Sequence, residues 1–267
     1  MSYSFETIYF DSPIIQNRCM DIFTPPEITK KKAIFIVHGG GWTGGSKSGY
    51  HQIMQALCNE GFVCASVDYR LSGVTALEQL ADCRHGYDCF VSHLKKQGHK
   101  TGIVCHGSSA GAHLAALMVL VQPGGCGENV SACGYTMQND WITPSALIVQ
   151  AFPLTFEIWD DVFPPIWQAM CAITGSPYEK KSDLYRLLSP IHHVSCKTPP
   201  VFNMIAEFEH MFPDELNEQF KLKMRTAGCR YESRIYTKAE HGFFYDVTRR
   251  QQKEAFQDML KFIDSLT

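Results

Sequence analysis

Short apolar runs alternate with segments of helical spacing along most of the chain. The runs predict strands at 5–10, 18–23, 32–37, 62–67, 101–106, 146–152, 200–205 and 231–236. Apolar residues at helical spacing predict helices at 50–60, 75–94, 110–121, 213–227 and 248–266. The first two strands alternate in polarity, which predicts an antiparallel pair, and the later regular alternation predicts an α/β fold around a mostly parallel sheet.

Two segments break this alternation. Residues 124–143 are rich in Gly, Asn, Ser and Thr and predict an irregular excursion before the next strand. Residues from about 156 to about 196 contain Pro164, Pro165, Trp159 and Trp167, and predict short helices and loops outside the sheet. Because no internal repeat or linker is found, we expect a single domain over 1–267 with a small cap insertion at about 156–196.

Composition limits the classes of function. The chain has 267 residues, of which 45% are hydrophobic, so it can bury a substantial core. A net charge of −3 gives no long-range attraction for phosphate backbones, so we expect a small-molecule substrate and no nucleic acid. The sequence contains no run of about 18 apolar residues, the length that would predict a membrane span. The oligomeric state stays open.

The cysteines and the first residues bear on the compartment. The eleven cysteines are an odd number, include no Cys-x-x-Cys pair, and mostly lie in apolar segments, which favours reduced buried thiols over disulfides or zinc. The N-terminus has no basic region followed by an apolar stretch. We therefore expect a cytoplasmic protein, with a secreted form whose leader has been removed as the open alternative.

Three motifs carry the candidate chemistry, and their order along the chain is informative. They are His-Gly-Gly-Gly-Trp at 38–42, Gly-Ser-Ser-Ala-Gly at 107–111 and His-Gly-Phe at 241–243. A glycine-rich donor loop, a serine between a strand and a helix, and a late histidine are typical of a serine hydrolase. Ser109 lies centrally between the glycines and is the predicted nucleophile, whereas Ser108 is expected to have a supporting role at most.

The other roles follow from what acyl transfer requires. Consecutive glycines leave backbone N–H groups accessible to a developing oxyanion, so Gly40, Gly41 and Ala110 are the predicted donors. His38 is expected to organise this loop. His241 lies between the last predicted strand and the last predicted helix, and is the predicted general base.

Chain order alone leaves three candidates for the acid that orients the base. This acid should lie in the loop after the strand at 200–205, where Glu207, Glu209 and Asp214 all qualify. Asp214 directly follows Pro213, which also suits a helix start. His192 and His193 have no carboxylate or thiol at ligand spacing, so no metal is expected there.

Further segments surround these motifs. They are Gly-Ser-Lys at 45–47, Val-Asp-Tyr-Arg-Leu at 67–71 and Ser-Ala-Gly-Ala-His-Leu at 109–114. Together with the glycine-rich loop, they resemble the α/β-hydrolase esterases related to hormone-sensitive lipase and to the bacterial carbohydrate esterases. The resemblance spans nearly the whole chain. It implies an α/β-hydrolase fold, with helices on both faces of the sheet, and hydrolysis of carboxylic esters through an acyl-enzyme without a cofactor.

The resemblance also bears on individual residues. Members of that family normally carry the acid in a Gly-x-x-Asp-Pro loop, and laying residues 206–210 against this loop places Glu209 at the acid. The chain departs from the pattern there, with Glu for Asp and His for Pro. Asp68 and Arg70 match a structural segment of the family and are not expected to be catalytic.

We expect a small carboxylic ester as substrate, with Trp42 and Phe152 as candidate substrate contacts. Two alternatives remain. Arylformamidases share the fold and a similar Ser-Ala-Gly-Ala-His-Leu segment, although their donor loop typically reads His-Gly-Gly-Tyr-Trp, unlike Gly41 here. A catalytically silent binding protein with this fold is the second alternative, and the intact nucleophile, base and glycines argue against it.

Overall fold

A computed structural model describes residues 3–11, 13–99 and 102–266. The predicted start of one strand at Thr101 and the outer limits of the predicted domain, Met1, Ser2 and Thr267, lie outside these residues. Within the described part, eight strands form one sheet: β1 Ser4–Tyr9, β2 Cys19–Thr24, β3 Ala33–Val37, β4 Cys64–Val67, β5 Ile103–Ser108, β6 Ala146–Gln150, β7 Val201–Phe208 and β8 Tyr231–Glu240.

The strand order is β1-β2-β4-β3-β5-β6-β7-β8. β1 pairs antiparallel with β2, and β2 pairs antiparallel with β4, whereas all later neighbours are parallel. The predicted antiparallel start and mostly parallel sheet are therefore observed. Because parallel strands end at the same edge, the carboxyl ends of β3, β5, β6, β7 and β8 lie side by side.

The longer helices are α1 His51–Asn59, α2 Ala76–Lys96, α3 Ala110–Leu120, α4 Pro164–Thr174, α5 Tyr178–Leu187, α6 Asp214–Thr226 and α7 Arg250–Asp264. Apolar side chains of α2, α3 and α6 pack in one hydrophobic core, and those of α1 and α7 pack in a second. The two cores cover opposite faces of the sheet, which explains why the central strands β3 and β5 are buried throughout.

Local signals fix where individual elements begin and end. α2 begins with a capping box in which the main-chain N–H of Thr75 donates to the Glu78 side chain at 2.8 Å. α4 begins with two prolines and ends at Gly175, whose φ of 72° is a backbone conformation that glycine adopts at little cost. α4 and α5 occupy the irregular segment between β6 and β7, where the sequence predicted short helices.

Two further findings concern the environment of the chain. Among the described residues, no helix combines the length and the apolar content that crossing a bilayer requires. All eleven cysteines are described and carry free thiols, with Cys133 and Cys196 exposed.

Candidate active site

The turn at Ser109 joins β5 to α3. Ser109 has φ 52° and ψ −123°, a backbone conformation that is strained for any residue with a side chain. The turn is held from both sides, because the N–H of Ser109 donates to the carbonyl of Gln150 at 3.1 Å and the N–H of His113 donates to the carbonyl of Ser109 at 3.1 Å. The Ser109 side chain is thereby presented at the carboxyl edge of the sheet.

Gly111 is required by the close packing of α3 against the end of β3. A Cβ atom at this position would lie 2.1 Å from the carbonyl oxygen of Val37 and 2.4 Å from that of His38. Such contacts are far inside van der Waals distance, so only glycine fits without movement of the backbone. The second glycine of the Gly-Ser-Ser-Ala-Gly motif therefore sets how near the donor loop comes to Ser109.

Three predicted side chains meet at this edge. The Nε2 atom of His241 lies 3.0 Å from the Ser109 Oγ, and its Nδ1 atom lies 2.9 Å from each carboxylate oxygen of Glu209. An ionised carboxylate can only accept, so Nδ1–H donates to Glu209 and Nε2 is left to accept the serine proton. The arrangement provides a nucleophile, a base and an acid in one hydrogen-bonded chain.

The pairing of β7 with β8 explains why Glu209 is the residue that reaches the histidine. After an irregularity in the register, Phe208 pairs with Glu240, so the next residues, Glu209 and His241, lie side by side. Glu207 is exposed and accepts from the main-chain N–H of Lys238 at 2.7 Å. Asp214, the third candidate, is the first residue of α6.

The donor loop folds back on itself beside Ser109. The N–H groups of Thr43 and Gly44 donate to the carbonyl of Gly40 at 3.2 and 2.9 Å. Gly40 has φ 126°, and a Cβ atom there would lie 2.2 Å from the carbonyl oxygen of Gly44. Within the described ranges, the N–H groups of Gly40, Gly41 and Ala110 donate to no protein acceptor. These three N–H groups, the donors that the sequence predicts for an oxyanion, therefore remain without a protein acceptor among the residues that the structure describes.

His38, the first residue of the His-Gly-Gly-Gly-Trp motif, bonds to the main chain of this loop. Its Nδ1–H donates to the carbonyl of Gly39 at 2.8 Å, and its ring stacks on Tyr69 with a centroid distance of 4.4 Å. Burial lowers the pKa of the imidazole, so the ring stays neutral. This environment suits the loop-organising role that the sequence suggested.

The family's structural segment also bonds near the donor loop. Asp68 accepts from the main-chain N–H of Lys47 at 2.6 Å and from its ammonium group at 2.9 Å. Arg70 forms an ion pair with the buried Asp82, with Nε to carboxylate oxygen at 2.8 Å. The first contact connects the turn before α1 to the end of β4, the second connects the loop after β4 to α2, and neither involves the Ser109 side chain.

A cleft of about 520 Å³ opens over Ser109. Glycines of the donor loop and His241 form its polar wall. The facing wall is apolar and comes mostly from α4, with Phe163, Pro165, Ile166, Ala169, Met211 and Tyr50 as its main side chains. Sequence reasoning did not find this wall, because apolar residues of the insertion look the same whether they face the core or a cleft.

The structure corrects both predicted substrate contacts. The side chain of Trp42 is 0% exposed, and its Nε1–H donates to the Nδ1 of His113 at 3.3 Å. Phe152 is 3% exposed and packs edge-on against Phe220 at 5.5 Å. Neither residue lines the cleft. Both rings belong to the hydrophobic core, because the chain turns inward after Gly41 and after β6.

The remaining polar candidates have protein partners. Ser108 is buried, and its Oγ accepts from the Nε2 of Gln150 at 2.8 Å. His192 bonds to Glu157, and His193 donates to the carbonyl of Leu187 at 2.7 Å. In the part of the chain that the structure covers, no three His, Cys, Asp or Glu side chains converge as metal ligands would.

Two family models match the chain. A family model described as BD-FAE matches residues 20–224, which is more than half of the chain. The chain belongs to the BD-FAE family. A second family model, described as the Dienelactone hydrolase family, matches residues 186–266. These matches agree with the resemblance to esterases that the sequence motifs indicated.

Individual proteins similar to this BD-FAE member are also named as esterases. Esterase LipQ of Mycobacterium tuberculosis is 25% identical over 254 residues, which cover 91% of this chain and 59% of LipQ. A truncated carbohydrate esterase from gut microbiota has a TM-score of 0.81 at 19% identity, covering 99% of this chain and 96% of that chain. Thermogutta terrifontis esterase 2 phosphonylated by sarin has a TM-score of 0.77 at 22% identity, covering 97% of this chain and 93% of that chain.

These similarities define the fold of the BD-FAE member. The chain spans 48% to 59% of the length of the first curated relatives that it matches. The solved structures match almost the full length of both chains. The eight-stranded, mostly parallel sheet with helices on both faces is therefore an α/β-hydrolase fold, as predicted.

Proposed function

We propose that this protein is a serine hydrolase that cleaves small carboxylic esters through an acyl-enzyme. The observation that carries the proposal is the hydrogen-bonded chain from Ser109 through His241 to Glu209. Serine is a weak nucleophile at neutral pH, and this chain supplies the base and the orienting acid that it needs. The family match and the named esterases support esters as the substrate class.

The residues act in two half-reactions. The Ser109 Oγ attacks the ester carbonyl carbon while His241 takes its proton, and Glu209 stabilises the imidazolium. The N–H groups of Gly40, Gly41 and Ala110 bind the oxyanion. The resulting tetrahedral intermediate collapses and breaks the C–O bond between the acyl carbon and the alcohol oxygen. His241 protonates the departing alcohol, and the acyl group stays on Ser109.

Water then repeats the sequence on the acyl-enzyme. His241 removes a proton from the water molecule, the hydroxide attacks the acyl carbon, and the Ser109 oxygen leaves with the proton that His241 returns. The products are a carboxylic acid and an alcohol. The proposed cycle uses protein groups and water alone, and needs neither a cofactor nor a metal.

The cleft indicates the size and polarity of the substrate. A volume of about 520 Å³ fits a small-molecule ester, and the apolar wall of α4 suits a short acyl chain. The net charge of −3 makes nucleic acid an unsuitable partner. We further propose a cytoplasmic location, which the eleven free thiols support.

The two alternative functions have distinct readouts. An arylformamidase would hydrolyse N-formylkynurenine faster than p-nitrophenyl acetate, and Gly41 in the donor loop favours the ester over the formamide. A silent binding protein would not react with a fluorophosphonate probe, whereas the 3.0 Å contact between His241 and Ser109 favours labelling.

The decisive experiment replaces the nucleophile. Ser109→Ala is expected to lower the kcat for p-nitrophenyl acetate by at least about 1000-fold and to abolish fluorophosphonate labelling. Ser145→Ala is the matched control, since this serine precedes β6 at the opposite edge of the sheet and bonds to the carbonyl of Ile103. Equal turnover by Ser109→Ala and wild type would contradict the proposed function.

A further inference from the structure

Gln150, the last residue of β6, bonds to the nucleophile turn. Its side chain is 0% exposed. Its main-chain carbonyl accepts from the N–H of Ser109 at 3.1 Å, and its side-chain Nε2 donates to the Oγ of Ser108 at 2.8 Å. Main-chain and side-chain groups of one residue thus fix both serines at the end of β5.

The same side chain also bonds to the loop that carries the base. Its Oε1 accepts from the main-chain N–H of Phe244 at 3.0 Å, and its Nε2 donates to the carbonyl of Phe244 at 3.0 Å. The amide therefore pairs with Phe244 at two points, as a neighbouring strand would. The Phe244 ring is buried and packs edge-on against His106 at 5.6 Å, which keeps the pairing away from water.

This pairing limits how far the histidine loop can move. His241 follows β8 directly, and Gly242, with φ 69°, turns the chain toward Phe244. The N–H of Phe243 closes the turn by donating to the carbonyl of Glu240 at 3.1 Å. His241 is consequently held by the sheet on one side and by Gln150 on the other.

We propose that Gln150 is a positioning residue, which fixes the distance between the Ser109 Oγ and the His241 Nε2. It does so because its side chain bonds both to the nucleophile turn and to the histidine loop. The inference rests on the proposed function. Reacting groups displaced by about 1 Å can lose about 100-fold in rate. A glutamine offers a donor and an acceptor at the same end, so side chains of equal size with only one of these, or with neither, cannot make the same contacts.

The first test removes the amide while keeping its volume. Gln150→Met is expected to lower the kcat for p-nitrophenyl acetate by about 10-fold to 100-fold, with KM changed less than about threefold. Asn203→Leu is the matched control, because Asn203 is a buried amide on the adjacent strand β7 that bonds to Asn217 and Tyr231. The control is expected to lower the melting temperature and to leave kcat unchanged.

The second test gives a pH signature that lost packing would not produce. In Gln150→Glu, an ionised carboxylate would face the Phe244 carbonyl without a proton to donate, whereas a protonated carboxyl group would restore the donor. The ratio of variant to wild-type kcat should therefore rise as the pH falls from about 8 to about 5. Tyr50, whose hydroxyl lies beside Ser108 and Gln150, and His106, which packs against Phe244, stay neutral over that range. Burial raises the pKa of Tyr50 to about 12 and lowers that of His106 to about 4.

The outcomes separate this inference from the proposed function. A wild-type protein without esterase activity would overturn both. An active wild type, with a kcat of Gln150→Met no lower than that of Asn203→Leu, would overturn the positioning role alone. If Gln150→Met does not fold, the pH dependence of Gln150→Glu decides, and a ratio that stays constant with pH overturns the inference.

Discussion

At the scale of single residues, the site depends on which ring nitrogen of His241 carries the proton. The Nδ1–H of His241 donates to Glu209, with both carboxylate oxygens 2.9 Å from Nδ1. The Glu209 side chain is only 7% exposed. The Nε2 atom is thereby kept as an acceptor facing Ser109. An amide in place of the carboxylate could donate to Nδ1 and stabilise the opposite tautomer.

We therefore predict that Glu209→Gln lowers the kcat for p-nitrophenyl acetate by about 10³-fold to 10⁴-fold, because the wrong tautomer leaves the serine proton without an acceptor. Glu207→Gln is the matched control, since its remaining side-chain oxygen can still accept from Lys238. The control should keep a kcat within about twofold of wild type. Undiminished turnover by Glu209→Gln would show that another group orients the base.

Residue roles were predictable from the sequence only where a motif limits the choice. Ser109 and His241 stand at positions that the hydrolase order defines, and the structure brings them together. Chain order left three candidates for the acid, and the shifted register of β7 against β8 is what places Glu209 beside His241. Trp42 was assigned wrongly because the direction of a side chain after a glycine turn depends on tertiary packing.

At the scale of elements, the polarity pattern predicted most strands and helices to within a few residues. β8 is the clearest difference, because it extends to Glu240, four residues beyond the predicted end at Tyr236. Three of its last four residues, Thr237, Lys238 and Glu240, are polar and exposed and carry no strand pattern, and pairing with β7 holds this segment in the sheet. The placement of β4 outside β3 likewise depends on contacts distant in sequence.

α4 supplies most of the apolar wall of the cleft in which the acyl group is proposed to bind. Ala169 on this helix lines the cleft over Ser109, whereas Ala172, three residues later, is exposed and faces a separate groove. The two residues lie on the same helix but on different faces of it. They allow the wall of the cleft to be changed with a matched surface control.

We predict that Ala169→Trp lowers the ratio of kcat/KM for p-nitrophenyl butyrate to that for the acetate by about 10-fold or more, since the indole fills space that the longer chain needs. Ala172→Trp should leave this ratio unchanged. The measurement is a steady-state comparison of both esters with all three proteins. An equal ratio in Ala169→Trp and wild type would place the acyl group elsewhere.

At the scale of the whole molecule, His106 and His113, two of the buried histidines, lie between the sheet and its helices in the neutral state. Burial lowers the pKa of His113 to about 3 and that of His106 to about 4, from 6.5. The Nε2–H of His113 donates to the carbonyl of Leu188 at 2.7 Å, which connects α3 to the segment between β6 and β7. Protonation of either ring would put an uncompensated charge into the core.

The sign of the resulting pH dependence follows from proton counting. Below pH 6.5, the unfolded chain binds a proton at each of these histidines, whereas the folded chain does not until its own pKa is reached. The contribution of the neutral rings to the free energy of unfolding is therefore fully present above pH 6.5, the histidine pKa in the unfolded chain. It decreases as the pH falls below this value. The slope is about 1.4 kcal/mol per pH unit for each histidine.

His113→Gln tests this assignment, because its amide can still donate to the Leu188 carbonyl but cannot titrate. The free energy of unfolding, measured by urea titration between about pH 6 and about pH 4.5, should depend on pH less steeply than in wild type by about 1.4 kcal/mol per pH unit. The variant is expected to be less stable than wild type at neutral pH, since Trp42 loses its acceptor. Identical slopes for the two proteins would mean that His113 takes up its proton in the folded state as readily as in the unfolded chain.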